Sequence, residues 1–230
     1  STRKESSAAS DVYKRQGLLN LSAEDVSSIA QTAVDTGEIP SVVYDMERYL
    51  YLPYLYEAET EAALRIKDMS EDDREIGNAS LAIEKFEREH GFSLEKKQKE
   101  AIKESMKSGV MVITGGPGTG KTTLIQAIIG AAEQYGVKVK LMAPTGRAAK
   151  RLAISSGRNA DTIHKALEAS MRDYGHTYFE KNEAEPLEED LIIVDEASML
   201  DISLFYHLLC ALKPEARLIP VSYTHLTLPT

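Results

Sequence analysis

The sequence predicts an α/β fold, a parallel sheet with helices on both faces, preceded by a small and mostly helical domain. Three short apolar segments, 110–114, 137–143 and 191–194, alternate with helical patterns, and a fourth strand begins at 217–219. Short apolar strands that alternate with helices of about ten residues are typical of a parallel sheet that is buried on both faces.

Helices are predicted where apolar residues recur at helical spacing and where capping residues stand at the ends. They cover 21–37, 54–69, 81–90, 95–107, 121–134, 147–154, 162–170 and 202–212. Residues 42–52 are β-branched and aromatic around a charged centre, which predicts two short strands in a hairpin. For 174–179 an ordinary loop is predicted, with a small hairpin as the alternative.

The composition is that of a globular chain with a substantial core, at 43% hydrophobic and 27% charged residues. The formal net charge of −9 over 230 residues argues against a broad surface that coats nucleic acid, but it leaves room for a local DNA channel. The single cysteine, Cys210, excludes an internal disulfide and a site of several thiolates, which suits a reducing cytoplasm. Apolar runs are too short for a membrane span, so we expect no membrane partner.

The two ends of the chain are related at the level of DNA. One short DNA sequence can encode 221–230, and its reverse complement encodes 6–16, as in a translated sequencing adapter. We therefore expect residues 1–16 and 220–230 to be adapter-like and foreign to the gene, and we leave them out of the fold prediction.

The remaining segment, 17–219, is predicted to hold two domains. The pattern changes near Gly91, where helical segments give way to alternating apolar strands and helices. We therefore predict a small helical domain with a short hairpin at 17–90 and a larger α/β domain at 91–219.

The most informative segment is 115–122, Gly-Gly-Pro-Gly-Thr-Gly-Lys-Thr, which matches G-x-x-x-x-G-K-[ST] between a predicted strand and a predicted helix. Glycines allow backbone N–H groups to wrap a phosphate chain, and the helix N-terminus favours an anion. Lys121 is placed to reach the β- and γ-phosphates, and the Thr122 hydroxyl to bind Mg²⁺. The predicted nucleotide-binding residues here are Gly115, Gly116, Pro117, Gly118, Thr119, Gly120, Lys121, Thr122 and Thr123.

A second motif, Leu-Ile-Ile-Val-Asp-Glu at 191–196, ends an apolar strand in two carboxylates. The carboxyl end of a parallel strand lies at the edge of the sheet where the phosphate loop is also expected. Asp195 is predicted to hold Mg²⁺, and Glu196 to orient and deprotonate the attacking water, because hydrolysis of a phosphoanhydride needs a positioned nucleophile. Lys121, Asp195 and Glu196 are thus the candidate catalytic residues of a nucleotide-hydrolysing core.

Four further segments accompany the phosphate loop. They read Leu-Glu-Lys-Lys-Gln at 94–98, Met-Ala-Pro-Thr-Gly-Arg-Ala-Ala-Lys-Arg-Leu at 142–152, Thr-Ile-His-Lys-Ala-Leu at 162–167 and Asp-Glu-Ala-Ser-Met-Leu-Asp at 195–201. In this order they resemble motifs of the RecD/TraA branch of superfamily-1 DNA helicases, over 91–219 and more weakly over 49–59. The resemblance implies a RecA-like P-loop NTPase fold, ATP and Mg²⁺ as cofactors, single-stranded DNA as a partner and translocation from 5′ to 3′.

The resemblance also implies roles for residues outside the phosphate loop. Gln98 would read the adenine edge, since a glutamine amide both donates and accepts; a surface helix glutamine is the alternative. Residues after the second strand and on the next two helices would contact DNA phosphates without reading sequence. For the two cations, Arg147 and Lys150, the alternative is a solvated helix surface. For His164 the alternatives are a helix cap, a core position or a relay to the ATP site. These predicted DNA contacts are Pro144, Thr145, Arg147, Lys150 and His164.

The activity that the resemblance implies is that of an ATP-dependent DNA helicase in DNA repair and recombination. A stand-alone RecD-like helicase is favoured over an exonuclease V α-subunit or a conjugative relaxase-helicase, because helices precede the motor domain. A P-loop ATPase without unwinding activity, of the clamp-loader or switch type, is the alternative. A DNA-binding module without catalysis is disfavoured, because 21–69 contains only Arg48, Arg65 and Lys67 as basic residues.

The family continues beyond the segment that corresponds to 217–219 into a Gly-Asp-x-x-Gln-Leu-Pro motif and a second motor domain. That domain carries arginines that stabilise charge in the transition state. We therefore expect the motor domain at 91–219 to be truncated at its C-terminal side, with the second motor domain of the same protein as its partner. The chain by itself is expected to bind Mg-ATP weakly and to hydrolyse it slowly.

Overall fold

The computed structural model describes residues 22–116, 118–171 and 177–223. The chain divides into two compact units between Ala58 and Glu59. Within the described residues, no helix is both long and apolar enough to cross a membrane.

The first unit contains a helix, a hairpin and the start of a second helix, as predicted. Ser22 caps the first helix, because its hydroxyl oxygen accepts a hydrogen bond from the Asp25 N–H at 3.1 Å. The hairpin turns through Asp45 and Met46, whose φ angles of 51° and 60° are the left-handed pair that a two-residue turn requires. The elements are α1 (Ala23–Asp35), β1 (Ser41–Tyr44), β2 (Glu47–Leu50) and α2 (Pro53–Ser70).

The division between the units lies inside α2, well before Gly91, where we predicted the domain boundary. The reason is packing: Ile83 and Phe86 are buried in the same core as the strands of the sheet. The helical residues between 59 and 90 therefore belong to the same compact unit as the sheet.

Most helices of the second unit agree with the predicted pattern. Asn78 accepts from the Leu81 N–H at the start of one of them, and Gly91 ends it with a left-handed φ of 71°. After α2 these helices are α3 (Ala79–His90), α4 (Lys96–Ser105), α5 (Lys121–Gln134), α6 (Gly146–Ser156), α7 (Ile163–Ala166) and α8 (Ile202–Cys210).

A five-stranded sheet forms the centre of the second unit, and all its pairings are parallel. From one edge to the other, its strands are β3 (Ile113–Gly115), β9 (Arg217–Tyr223), β8 (Leu191–Val194), β4 (Val139–Ala143) and β5 (Ala160–Thr162). The predicted α/β class is confirmed. β5 was not predicted, because its residues Ala-Asp-Thr carry no apolar pattern.

Strand β9 continues beyond the segment predicted as its start. It includes residues 220–223, which we expected to be adapter-like, and Val221 is fully buried there. Val221 pairs with Ile113 of β3, so this part of β9 connects β3 to the rest of the sheet.

The sheet is buried on both faces, and β8 shows this most clearly. Leu191 and Ile193 lie in the core formed with α3, α4 and α5, whereas Ile192 and Val194 lie in the opposite core with α7 and α8. Successive strand residues point to opposite faces, so a continuous apolar strand implies two covered faces. The predicted helices on both faces are confirmed.

The predicted helix over 162–170 is wrong in its second half. α7 ends at Ala166, and Glu168 adopts a left-handed φ of 53° that a helix does not tolerate. β6 (Ala169–Met171) then pairs antiparallel with β7 (Thr177–Phe179). The loop predicted over 174–179 is therefore also wrong from residue 177 onward. The other residues of that prediction, 174–176, lie outside the described residues.

Candidate nucleotide-binding site

The candidate site lies at the carboxyl edge of the parallel sheet. β3 leads into the phosphate loop, β8 leads into Asp195, and β4 leads into Pro144 and Thr145. Because the carboxyl ends of parallel strands meet at one edge, three motifs that are distant in sequence converge there.

The phosphate loop needs glycine at two described positions for backbone reasons. Gly118 and Gly120 both have a φ of 76°, a conformation that side chains disfavour. At Gly115 the constraint is space instead, since a Cβ there would lie 2.9 Å from Thr119 Oγ1. The Thr119 hydroxyl also donates to the Gly116 carbonyl at 2.9 Å, which closes the loop on itself. Of the predicted loop residues, Pro117 lies outside the described residues.

Lys121 begins α5 and is buried, which is unusual for a lysine. Its Nζ donates to the main-chain oxygens of Gly115 and Gly116, at 2.5 and 2.6 Å. The ammonium group is therefore held inside the curve of the loop, where a phosphate chain would lie. Next to it at the helix N-terminus, Thr122 is exposed and Thr123 is half-buried.

Asp195 is held at the end of β8 by main-chain contacts. Its N–H donates to the Met142 carbonyl at 2.9 Å, and its carboxylate accepts from the Glu196 N–H at 2.9 Å. Burial raises the pKa of Asp195 above its usual range, and the Glu196 N–H, Arg151 and Lys121 oppose that shift. A cation next to this carboxylate would relieve the cost of its burial.

Glu196 adopts a left-handed backbone, with a φ of 55°. Such a conformation costs a glutamate of the order of 1 kcal/mol and is common where a side chain must be aimed. The Glu196 carboxylate accepts a hydrogen bond from the Arg151 guanidinium. The same guanidinium lies 3.8 Å from the carboxylate of Asp195.

Arg151 is the residue of this site that sequence reasoning missed. It lies in the segment 142–152 that resembles a helicase motif, yet we assigned roles only to its neighbours. One signal was available: Arg151 follows Arg147 by four residues on a predicted helix, so the two cations share a face.

Gln98 comes to the phosphate loop from the first turn of α4. Its side-chain oxygen accepts from the Glu95 N–H at 3.0 Å, and its Nε2 donates to the Gly120 carbonyl at 3.4 Å. The structure thus brings Gln98 to the loop, and its contact with adenine stays a prediction.

The predicted DNA contacts are divided between two helices. Pro144 and Thr145 directly follow β4, and the Thr145 hydroxyl oxygen caps α6 by accepting from the Ala148 N–H at 3.2 Å. Arg147 and Lys150 are exposed on α6, one turn apart. His164 is exposed on α7, with its ring centre 6.0 Å from that of Phe179.

The donor set suits Mg²⁺ that arrives with a nucleotide. Thr122 and Asp195 offer a hydroxyl and a carboxylate, the hard oxygen ligands that Mg²⁺ prefers, and phosphates and water commonly complete its shell. Among the described residues, no group of three or more His, Cys, Asp or Glu side chains forms a metal site.

Known proteins are similar to this chain in sequence. The chain is 36% identical over 209 residues to the ATP-dependent RecD2 DNA helicase of Deinococcus radiodurans, covering 90% of this chain and 27% of that protein. It is 35% identical over 146 residues to the RecBCD enzyme subunit RecD of Haemophilus influenzae, covering 53% and 22%. It is 40% identical over 124 residues to the ATP-dependent DNA helicase dda of Enterobacteria phage T4, covering 53% and 28%. The chain spans about a quarter of the length of these relatives.

These relatives confirm the resemblance to RecD-type helicases that the motifs predicted. The AAA domain family matches residues 98–222, from Gln98 through the phosphate loop and β8 into β9. Since that match covers more than half of the sequence, the chain belongs to the AAA domain family.

Proposed function

We propose that the chain carries the ATP-hydrolysing motor unit of an ATP-dependent DNA helicase of the RecD type. The observation that carries the proposal is the shared sheet edge, where the phosphate loop with Lys121 follows β3 and Asp195 follows β8. A phosphate chain in the loop would meet both groups. The names of two relatives, which are ATP-dependent DNA helicases, support ATP as the nucleotide.

The side chains at this edge have complementary tasks. Water would attack the γ-phosphorus, and the bond to the oxygen that bridges the β- and γ-phosphorus would break, leaving ADP and phosphate. Glu196 would orient that water and accept its proton. Lys121 would bind the β- and γ-phosphate oxygens, and Thr122 and Asp195 would hold Mg²⁺, which neutralises phosphate charge when bound.

Single-stranded DNA is the proposed polymer substrate, and α6 is its proposed contact. Arg147 and Lys150 are exposed on that helix, and Pro144 and Thr145 lie at its start. A few cations along one helix bind phosphates without reading bases, as translocation requires, and they are compatible with a net charge of −9. His164 on α7 is a further proposed contact.

We also propose the context in which the motor acts. A second motor domain of the same protein would complete the ATP site, translocation would run from 5′ to 3′, and the role would be DNA repair and recombination in the cytoplasm. The similarity to RecD2 covers 90% of the chain and supports the stand-alone type, since the RecBCD subunits RecD match over 53% to 78%.

The proposal is tested by equilibrium binding of Mg-ATP to the purified chain and to two variants. Lys121→Ala should lose about tenfold or more in affinity, because it removes the cation inside the loop. Glu196→Gln should keep wild-type affinity and lose hydrolysis, because only proton transfer needs the carboxylate. Lys85→Ala, an exposed lysine on α3 paired with Glu89, serves as the control and should bind as the wild type does. Equal binding by Lys121→Ala and wild type would contradict the proposal.

A further inference from the structure

We propose that Arg151 is a positioning residue that restrains Glu196 while no DNA is bound and turns to the DNA phosphates when a strand binds. This inference rests on the proposed function, since it assumes that α6 contacts a strand. DNA and Glu196 would then compete for one guanidinium, and that competition would couple strand binding to the ATP site.

The geometry places Arg151 between the two sites. Arg151 and Arg147 lie one turn apart on the same face of α6, while Ala148 and Leu152 on the other face are buried in the core. The guanidinium pairs with Glu196 at the sheet edge. Its side chain is nevertheless 55% exposed, so an anion on the Arg147 face can reach it without unfolding α6.

The pairing has a chemical consequence for Glu196. A carboxylate oxygen that accepts a charge-assisted hydrogen bond from a guanidinium has fewer lone pairs left for a water molecule. The Glu196 side chain is 21% exposed, and its backbone is in the left-handed region. A guanidinium on this carboxylate therefore occupies the position that the attacking water needs.

A DNA phosphate offers Arg151 an alternative anionic partner. Guanidinium groups bind phosphate and carboxylate with similar bidentate geometry, so the exchange loses little hydrogen bonding. Arg151 must leave Glu196 before it can bind a DNA phosphate. Because coupling between binding events is reciprocal, the free energy of the pair between Arg151 and Glu196 therefore weakens DNA binding by the same amount. Removal of the Glu196 charge should therefore tighten DNA binding, and it should do so through Arg151.

A double-mutant cycle on DNA affinity tests this directly. Fluorescence anisotropy of a labelled oligo(dT) is measured for wild type, Glu196→Gln, Arg151→Gln and the double variant, without nucleotide. We expect Glu196→Gln to bind about fivefold more tightly than wild type and Arg151→Gln to bind more weakly. In the Arg151→Gln background the Glu196→Gln change should have no effect. Arg151→Lys should recover most of the wild-type behaviour, because it restores a cation at this position.

The chain offers a matched control pair just beyond the C-terminal end of α6. Arg158 donates to Glu133 at 3.1 and 2.8 Å, and the two side chains are 53% and 39% exposed. Glu133→Gln and Arg158→Gln change the net charge by the same amounts as the test variants. They should leave DNA affinity within about twofold of the wild type, since screening weakens exposed charges at a distance.

The outcomes separate this inference from the proposed function. If Glu196→Gln tightens DNA binding equally in both backgrounds, long-range charge explains the effect and the inference is overturned. It is also overturned if no tightening occurs, or if the wild-type chain binds no oligo(dT) at low salt. Mg-ATP binding that Lys121→Ala abolishes would leave the proposed function standing in each case. A coupled cycle in a chain that binds no Mg-ATP would support the inference and overturn the ATP site.

Discussion

The Nε2 atom of Gln98 lies 3.4 Å from the main-chain oxygen of Gly120, across 22 residues of sequence. The approach is so close that a Cβ at Gly120 would come within 2.7 Å of this nitrogen. The first turn of α4 is therefore in direct contact with the phosphate loop, and an added side-chain atom at Gly120 would displace the Gln98 amide.

Replacement of Gly120 by alanine tests this contact between Gln98 and the phosphate loop. The methyl group must displace the Gln98 amide, and the backbone has a φ of 76°, so the variant should lose about 1 kcal/mol of stability and about tenfold in Mg-ATP affinity. Isothermal titration and urea unfolding measure the two effects.

Gly157→Ala is the matched control for Gly120→Ala. Gly157 has a φ of 69° at the end of α6, and no heavy atom lies within 4 Å of the position of its Cβ. It should lose similar stability and bind Mg-ATP as the wild type does. Equal losses of affinity in the two variants would show that backbone strain alone, and not the contact with Gln98, governs the loop.

The phosphate loop and β8 were predictable because their signals are local. The glycine-rich loop that ends in Lys121 and the continuous apolar strand that ends in Asp195 can each be predicted from about ten consecutive residues. β5 was not predictable, since Ala-Asp-Thr becomes a strand only because β4 offers it a parallel partner. Arg151 was missed for a related reason: its partner Glu196 is 45 residues away, and only the sheet brings them together.

The pKa of the Asp72 carboxyl is lowered from 3.8 to about 2, chiefly because Arg74 donates two side-chain hydrogen bonds to it at 2.8 and 2.6 Å. A lowered pKa in the folded state contributes stability above the ordinary value, and this is lost as pH falls through the folded value. The contribution should be of the order of 1 kcal/mol, because Arg74 is half-exposed and solvent screens the pair.

Asp72→Asn is the variant that measures this contribution. The wild type should be more stable than Asp72→Asn at neutral pH, and the difference should shrink as the pH falls from about 5 to about 2. Urea unfolding of both proteins across that range gives the difference directly. A difference that stays constant with pH would show that the ionised carboxylate has no part in it.

Arg217 is a buried cation at the start of β9, and burial lowers the pKa of its guanidinium below the usual range. Its two terminal nitrogens donate to the carbonyls of Ser108 and Arg74, which attaches the segment after α2 to the sheet. Arg217→Met keeps the aliphatic volume but leaves both carbonyls without that donor. The free energy of unfolding should fall by about 2 kcal/mol, as measured by urea unfolding.

The exposed Arg88 on α3 provides the comparison for Arg217. Arg88→Met should change the free energy of unfolding by less than about 0.5 kcal/mol, since surface substitutions have small effects. Equal effects of the two substitutions would mean that Arg217 serves only as a surface cation in solution.

Backbone strain at Glu196 is the last relationship that can be measured. With a φ of 55°, any side chain at this position strains the backbone, and glycine relieves the strain. We expect Glu196→Gly to be more stable than Glu196→Ala by about 1 kcal/mol. Glu84, exposed within α3, should show the reverse order, because glycine destabilises a helix interior relative to alanine by about 1 kcal/mol. If alanine is the more stable residue at both positions, Glu196 does not keep the left-handed backbone in solution. The expected result is that glycine is the more stable residue at 196 and alanine at 84. If both Glu196 variants also bind Mg-ATP as the wild type does, the backbone strain at Glu196 serves the orientation of its carboxylate and does not serve nucleotide affinity.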